Sequence, residues 1–196
     1  MKRLTWRRLF RQVMRSPLDL ARANAGEIGN GIVTVSVDAS GHVRMAQLSA
    51  GRTLDDCLVW ESRVDVGDLY TPSLRDQKLA ARFRGAKVVH KGPVRATIEL
   101  HWSFAAGRER MDATVTLIVD ANAPFVRVQV RGDNAASDHR LRLGFRTGLE
   151  RPRVFADAMF GPMERERLTL TPAEAAFETP PATDPLHRYV SVFAGD

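Results

Sequence analysis

The chain has a single cysteine, Cys57, so no disulfide can close within it and a thiolate-built zinc site would lack ligands. A lone thiol fits a reducing compartment. The 5 histidines are scattered at His42, His90, His101, His139 and His187, without the short spacings that place two imidazoles on one ion. A metal centre built by this chain is therefore not expected. No Gly-x-Ser-x-Gly elbow occurs, and Ser73 lies in a proline-containing loop with no helix directly after it, which argues against a serine-nucleophile triad. No apolar run approaches the roughly 20 residues needed to cross a bilayer, and the N-terminus lacks the apolar centre of a secretory signal. Asn-x-Ser/Thr sequons are missing as well. Together these absences predict a soluble, cytoplasmic protein.

What is present is enough to fold. In 196 residues, 44% are hydrophobic and 27% charged, ordinary for one sizeable core or two small ones. The net charge of +6 is local, because Lys2, Arg3, Arg7, Arg8, Arg11 and Arg15 all precede the first acid, Asp19. The remaining body is balanced and has no net charge with which to seek phosphates, so no nucleic-acid partner is expected. Residues 1 to 15 place Trp6, Leu9, Phe10, Val13 and Met14 on one stripe at helical spacing, with arginines opposite. This reads as a short N-terminal amphipathic helix that docks on protein, lies on a membrane surface or serves as a transit-like start, with membrane attachment the lesser expectation. Ala21 to Gly31, rich in alanine, asparagine and glycine, reads as a linker. The domain division is thus 1–26, helix and linker, and 27–196, a β domain.

From Ile32 the apolar period becomes two. Ile32 to Val37 and His42 to Leu48 form a hairpin around Asp38-Ala39-Ser40-Gly41. A short buried strand is expected at Cys57 to Trp60, and a pair at Leu79 to Phe83 and Ala86 to His90. Val94 to Phe104 is the clearest half-buried strand, with Val94, Ala96, Ile98, Leu100 and Trp102 alternating against polar neighbours. Met111 to Val119, Phe125 to Val130 and His139 to Phe145 follow, then weaker segments at Val154 to Phe160, Leu168 to Leu170 and Arg188 to Phe193. Strands joined by short turns without helical crossovers predict an all-β fold, an antiparallel β-sandwich. The final strand lacks a following partner, so the domain is expected to be incomplete at its C-terminus or to complete its sheet with another chain.

One loop concentrates chemistry. Val66 to Ser73 packs Gly67, Asp68, Tyr70, Pro72 and Ser73 between two strands, and polar loops on a rigid β scaffold are where binding groups collect. Gly67-Asp68 and Thr71-Pro72 also serve simply to turn the chain. Two carboxylate clusters, Glu61, Asp65, Asp68 and Asp76, and Glu164 with Glu166, have the residue type glycosidases need on either side of a sugar, but read foremost as solvated surface.

Six segments in order resemble one family. Glu27 to Val35, followed by Asp38 and Gly41, is similar to the strand that opens the C-terminal β region of glycoside hydrolase family 38, the α-mannosidases. Gly67-Asp68-Leu69-Tyr70-Thr71-Pro72-Ser73 resembles that family's G-D-x-Y-x-x-S loop, and Lys91 to Ala96 its E-G-P-V-R-A strand start. Asn134 through Asp138-His139-Arg140-Leu141-Arg142 to Thr147-Gly148, then Asp157 to Arg165 and His187 to Val190, keep the register over roughly residues 27 to 194. The resemblance implies a mutarotase-like supersandwich. It implies that zinc, the nucleophile and the acid belong to an N-terminal barrel absent from this sequence, so this chain itself carries no cofactor and no catalytic residue. It assigns substrate contact to Tyr70, with Asp68 and Ser73 supporting it, while Asp138 and Arg140 are expected to form structural ion pairs. The implied function is a partial accessory domain of an α-mannosidase in mannose metabolism, inactive alone, with a mannoside, a barrel in trans or further copies of itself as partners. A non-catalytic carbohydrate-binding or protein-interaction module is the alternative.

Overall fold

A computed structural model describes residues 20–68, 72–78, 80–106, 109–166, 169–175 and 186–195. The N-terminal helix expected over residues 1 to 15 lies outside them. All strand pairings among the described residues are antiparallel. The described helical segments are one 3-10 turn, Leu48–Ala50, and one turn at Pro172–Ala175.

The first sheet holds β1 (Arg22–Asn24), β2 (Glu27–Gly29), β3 (Val33–Val37), β4 (Val43–Gln47) and β5 (Arg52–Leu54), in that spatial order. Residues expected to form a linker, Ala21 to Gly31, therefore supply two strands of it. β1 is the edge and β2 lies between it and β3; strands of three residues pair through backbone hydrogen bonds and need little apolar periodicity. Next in sequence come β6 (Leu58–Asp65), β7 (Leu74–Lys78), β8 (Ala81–Lys91), β9 (Arg95–Ala106), β10 (Glu109–Asp120), β11 (Arg127–Gly132) and β12 (His139–Phe145). Of these, β11-β10-β9-β8 make a four-stranded sheet and β12-β6-β7 a three-stranded one. The pair expected at Leu79 to Phe83 and Ala86 to His90 is the single strand β8, whose register against β9 shifts between Phe83 and Gly85 and between Val88 and His90.

The core lies where the first and second sheets face each other. Ile28, Val33, Val35 and Val43 from one, and Ala96, Ile98, Leu100, Val115, Leu117 and Val119 from the other, are buried in one cluster with Cys57 and Leu58. Period-two alternation dictates this, since it sends every second side chain of β9 and β10 to the same face. Burial of each such aliphatic chain contributes roughly 1.5–3 kcal/mol. A satellite cluster of Phe104, Met111 and Ala113 joins the third sheet through Trp60 and Leu141. There the Trp60 and Phe104 rings meet edge-on, with centroids 5.1 Å apart.

Beyond β12, β13 (Pro152–Ala158), β14 (Gly161–Glu164) and β15 (Val190–Ala194) form a small sheet ordered β14-β13-β15. The last strand thus pairs backwards with β13 and is an edge of this sheet. Leu168 of the expected segment Leu168 to Leu170 lies outside the described residues, and Thr169 and Leu170 are not in a strand. On one side of the small sheet Arg153 pairs with Glu164 at 2.6 Å, and Phe155 meets Phe193 edge-on at 5.8 Å. Alternation sends Val154, Ala156, Val190 and Val192 to the other side, where Val190 and Val192 remain exposed.

Candidate functional site

The loop between β6 and β7 is tied down by Asp65, the last residue of β6. Its Oδ1 accepts from the backbone N–H of Gly67 at 3.1 Å and of Ser73 at 2.8 Å, while the Val66 N–H donates to the Ser73 carbonyl at 3.1 Å. One carboxylate thus closes both ends of the loop. These backbone donors, of Ser73 and then Gly67, hold its pKa below the usual carboxylate value, with Arg140 adding in the same direction. Arg140 Nε lies 3.9 Å from Asp65 Oδ2. The expected ion pair therefore reaches Asp65; Asp138 contributes its backbone carbonyl, which accepts from the Asp65 N–H at 2.8 Å.

Of the three residues assigned to substrate contact, Asp68 is exposed on this loop and Ser73 is half-buried at its far end. Ser73 closes the loop through backbone groups. Tyr70 lies outside the described residues. Asp65 was read in the sequence only as one of several clustered acids. The signal for its role was Asp65-Val66-Gly67, since an aspartate two residues before glycine commonly accepts that N–H in an Asx-turn.

A second tie holds the neighbouring segment. Asn134 Oδ1 lies 2.9 Å from His139 Nδ1, and the Asn134 amide donates to the His139 carbonyl at 3.3 Å. His139 Nε2 in turn lies 2.8 Å from Oγ of Ser62, which is buried on β6. With the amide nitrogen committed to the carbonyl, the Asn134 oxygen faces Nδ1. That assigns the proton to Nδ1, leaving Nε2 to accept from the Ser62 hydroxyl. Desolvation lowers the His139 pKa from its ordinary 6.5, consistent with a neutral ring in this relay.

A pH dependence follows, with its sign. The unfolded chain takes up a proton on this histidine more readily than the folded one. The contribution of neutral His139 is therefore fully present above pH about 6.5 and is lost as pH falls through the lower folded value. His42 acts oppositely, because Asp38, 2.9 Å away, raises its pKa. The test is thus a difference: between about pH 7 and pH 5 the wild type should lose more thermal stability than His139→Gln. Parallel melting curves for the two proteins across that range would refute the relay's role.

Among the described residues no group of three or more His, Cys, Asp or Glu side chains is placed to hold a metal ion. Glu61 is engaged by Arg142, whose Nε donates at 3.1 Å, and Glu164 by Arg153. The two acidic clusters are thus partly consumed in ion pairs across adjacent strands. No helix among the described residues is long and apolar enough to cross a membrane.

Neither a family model nor a curated protein matches the sequence. Solved structures do match the fold. An α-mannosidase from Enterococcus faecalis V583 superimposes with a TM-score of 0.65 at 17% identity, over 76% of this chain and 20% of that one. A protein in glycosyl hydrolase family 38 from Enterococcus faecalis does so with a TM-score of 0.65 at 17% identity, over 75% of this chain and 22% of that one. This chain thus has the fold of one part of these family 38 proteins and spans about a fifth of their length.

Proposed function

We propose that the chain is a partial accessory β-sandwich domain of the family 38 α-mannosidase kind, of mutarotase-like supersandwich type, acting on mannosides only together with a catalytic barrel. The observation that carries this reading is the match of three-quarters of this chain to a fifth of an α-mannosidase. The small C-terminal sheet supports it. Phe160 is 98% and Met159 85% exposed at the β13–β14 turn, and Val190, Val192 and Met163 are exposed nearby. Apolar surface of this kind is what an assembly partner covers.

In this role the Gly67 to Ser73 loop forms one wall of a sugar pocket, with Tyr70 as the contact and Asp68 and Ser73 beside it, while zinc and the reacting carboxylates belong to the barrel. A cytoplasmic setting fits the buried, unpaired Cys57.

Incubation of the chain alone with an aryl α-mannoside and zinc is expected to yield no turnover. Co-expression with a family 38 barrel lacking its own sandwich is expected to restore it, and Tyr70→Phe to lower the restored kcat/KM by about tenfold. Turnover by the chain alone, or no restoration by any such barrel, overturns the proposal. The second reading, a non-catalytic carbohydrate-binding module, draws on a cleft away from this loop.

A further inference from the structure

Between the β10–β11 edge of the four-stranded sheet and the β6–β12 edge of the three-stranded one lies a cleft of about 330 Å³. Its wall includes the half-buried Trp60 with Leu141 and Val130, and its rim carries Asp112, Asp133 and Asn134. This volume is at the lower end of the roughly 300–1,000 Å³ typical of small-molecule sites.

We propose that this cleft binds a neutral saccharide of one or two pyranose rings, as a second carbohydrate site separate from the Gly67 to Ser73 loop. The choice of ligand rests in part on the carbohydrate reading above; the geometry stands without it. A pyranose has an apolar face of C–H groups and an edge of hydroxyls. An indole wall meets the first by stacking, and carboxylates at the rim accept from the second.

The alternatives fit less well. Two carboxylates at the rim disfavour a phosphate or an acidic sugar by like charge. An indole wall and the absence of a third ligating side chain among the described residues disfavour a bare cation.

The rim is built before any ligand arrives. Gly132 pairs with Ala113, and a Cβ at Gly132 would lie 2.7 Å from the Asp112 carbonyl oxygen. Only glycine lets β11 close there, which sets Asp133 beside Asp112. Asn134, the next residue, is held by both side-chain atoms to His139, and His139 to Ser62. Trp60 is held from behind by Phe104 and Trp102. Such preorganisation lowers the entropy lost on binding. Among the described residues, Asp112 accepts long bonds from Arg110 at 3.4 and 3.5 Å, both on Oδ1, so its oxygens retain capacity for hydroxyl donors.

The test is titration of the ¹⁵N-labelled full chain with α-1,2-mannobiose and, separately, with cellobiose, following the Trp60 indole N–H and the amides of Asp133 and Asn134. Saturable shifts at these positions with at least one sugar, at millimolar affinity, are expected. Asp112→Ala and Asp133→Ala remove exposed side chains and should leave melting unchanged while each weakens binding about tenfold. Failure of both sugars to shift the Trp60 signal saturably, wild-type affinity in both aspartate variants, or shifts confined to residues 66 to 73 would overturn the cleft as a site. None of those outcomes bears on barrel-dependent turnover, so the two proposals fail separately.

Discussion

Asn30→Ala is expected to lower the free energy of unfolding by about 4 kcal/mol, more than any surface substitution in this chain. The residue is wholly buried and uses its full side-chain capacity. Its amide nitrogen donates to the carbonyls of Asp120 and Ala123, each at 2.8 Å. Its oxygen accepts from the backbone N–H of Ile32 at 3.0 Å and of Val33 at 2.9 Å. Alanine removes the partner of the Ala123 carbonyl and of the Ile32 and Val33 N–H groups at once, while the Asp120 carbonyl keeps the Ala123 N–H at 3.2 Å; a buried polar group left without a partner costs roughly 1–3 kcal/mol. Some of that is recovered if water enters the vacated space, which is why the expected total lies well below the sum.

These bonds join the β2–β3 turn to the β10–β11 turn, so the loss also loosens the two main sheets at one end. Urea unfolding should show a lower midpoint at unchanged m. Asn30→Asp keeps the oxygen acceptor but has no donor until protonated. It should be comparably unstable at neutral pH and recover in part on acidification. A loss below about 1 kcal/mol for the alanine variant would mean that the turns are held by something else.

Gly92→Ala is expected to be nearly as costly, about 3–4 kcal/mol, through a different mechanism. Gly92 has φ of +95°, which a side-chain-bearing residue adopts only with strain. A Cβ there would also lie 1.9 Å from the carbonyl oxygen of Ala21. That neighbour is backbone, and it cannot rotate away as a side-chain tip would. It is fixed because the Ala21 N–H donates to the Pro93 carbonyl at 2.9 Å, fastening the start of β1 beside β9. The variant should therefore lose amide protection first over Ala21 to Gly29. Gly51→Ala is the comparison: its φ is +60° but nothing lies within 4 Å of the added carbon, so only the conformational part of the cost, about 1 kcal/mol, should remain. Equal destabilisation by the two substitutions would show that the Ala21 contact is unimportant.

Much of the β architecture was legible in residue order. Alternation in Val94 to Phe104 and Met111 to Val119 marked β9 and β10 and most of the side chains that enter the core, because burial on one face enforces period two; Val94, which precedes β9 and is 69% exposed, is the exception. The hairpin of β3 and β4 was equally plain from Asp38 to Gly41. Strands with weak alternation were misread. β1 and β2 looked like a linker, β7 and β14 were not expected, and β6 runs to Asp65, well past Trp60. Leu74 to Lys78 has polar residues at four of five positions and Gly161 to Glu164 has polar, proline or glycine residues at three of four, and their pairing depends on a neighbouring strand's backbone.

At the candidate loop, the sequence alone determined that chemistry-bearing groups cluster at Gly67 to Ser73, that a single cysteine precludes an internal disulfide, and that the basic charge sits in the first fifteen residues. These follow from composition and local spacing. Only the tertiary structure decided that Asp65 closes the loop from both ends, that His139 reaches Ser62 across 77 positions, and that Asn30 joins turns 90 positions apart. It alone set Trp60 beside Asp112 and Asp133. Each of these contacts depends on how separate strands pair and which sheets face one another. That is settled by the cooperative burial of the core, which local periodicity along the chain does not specify.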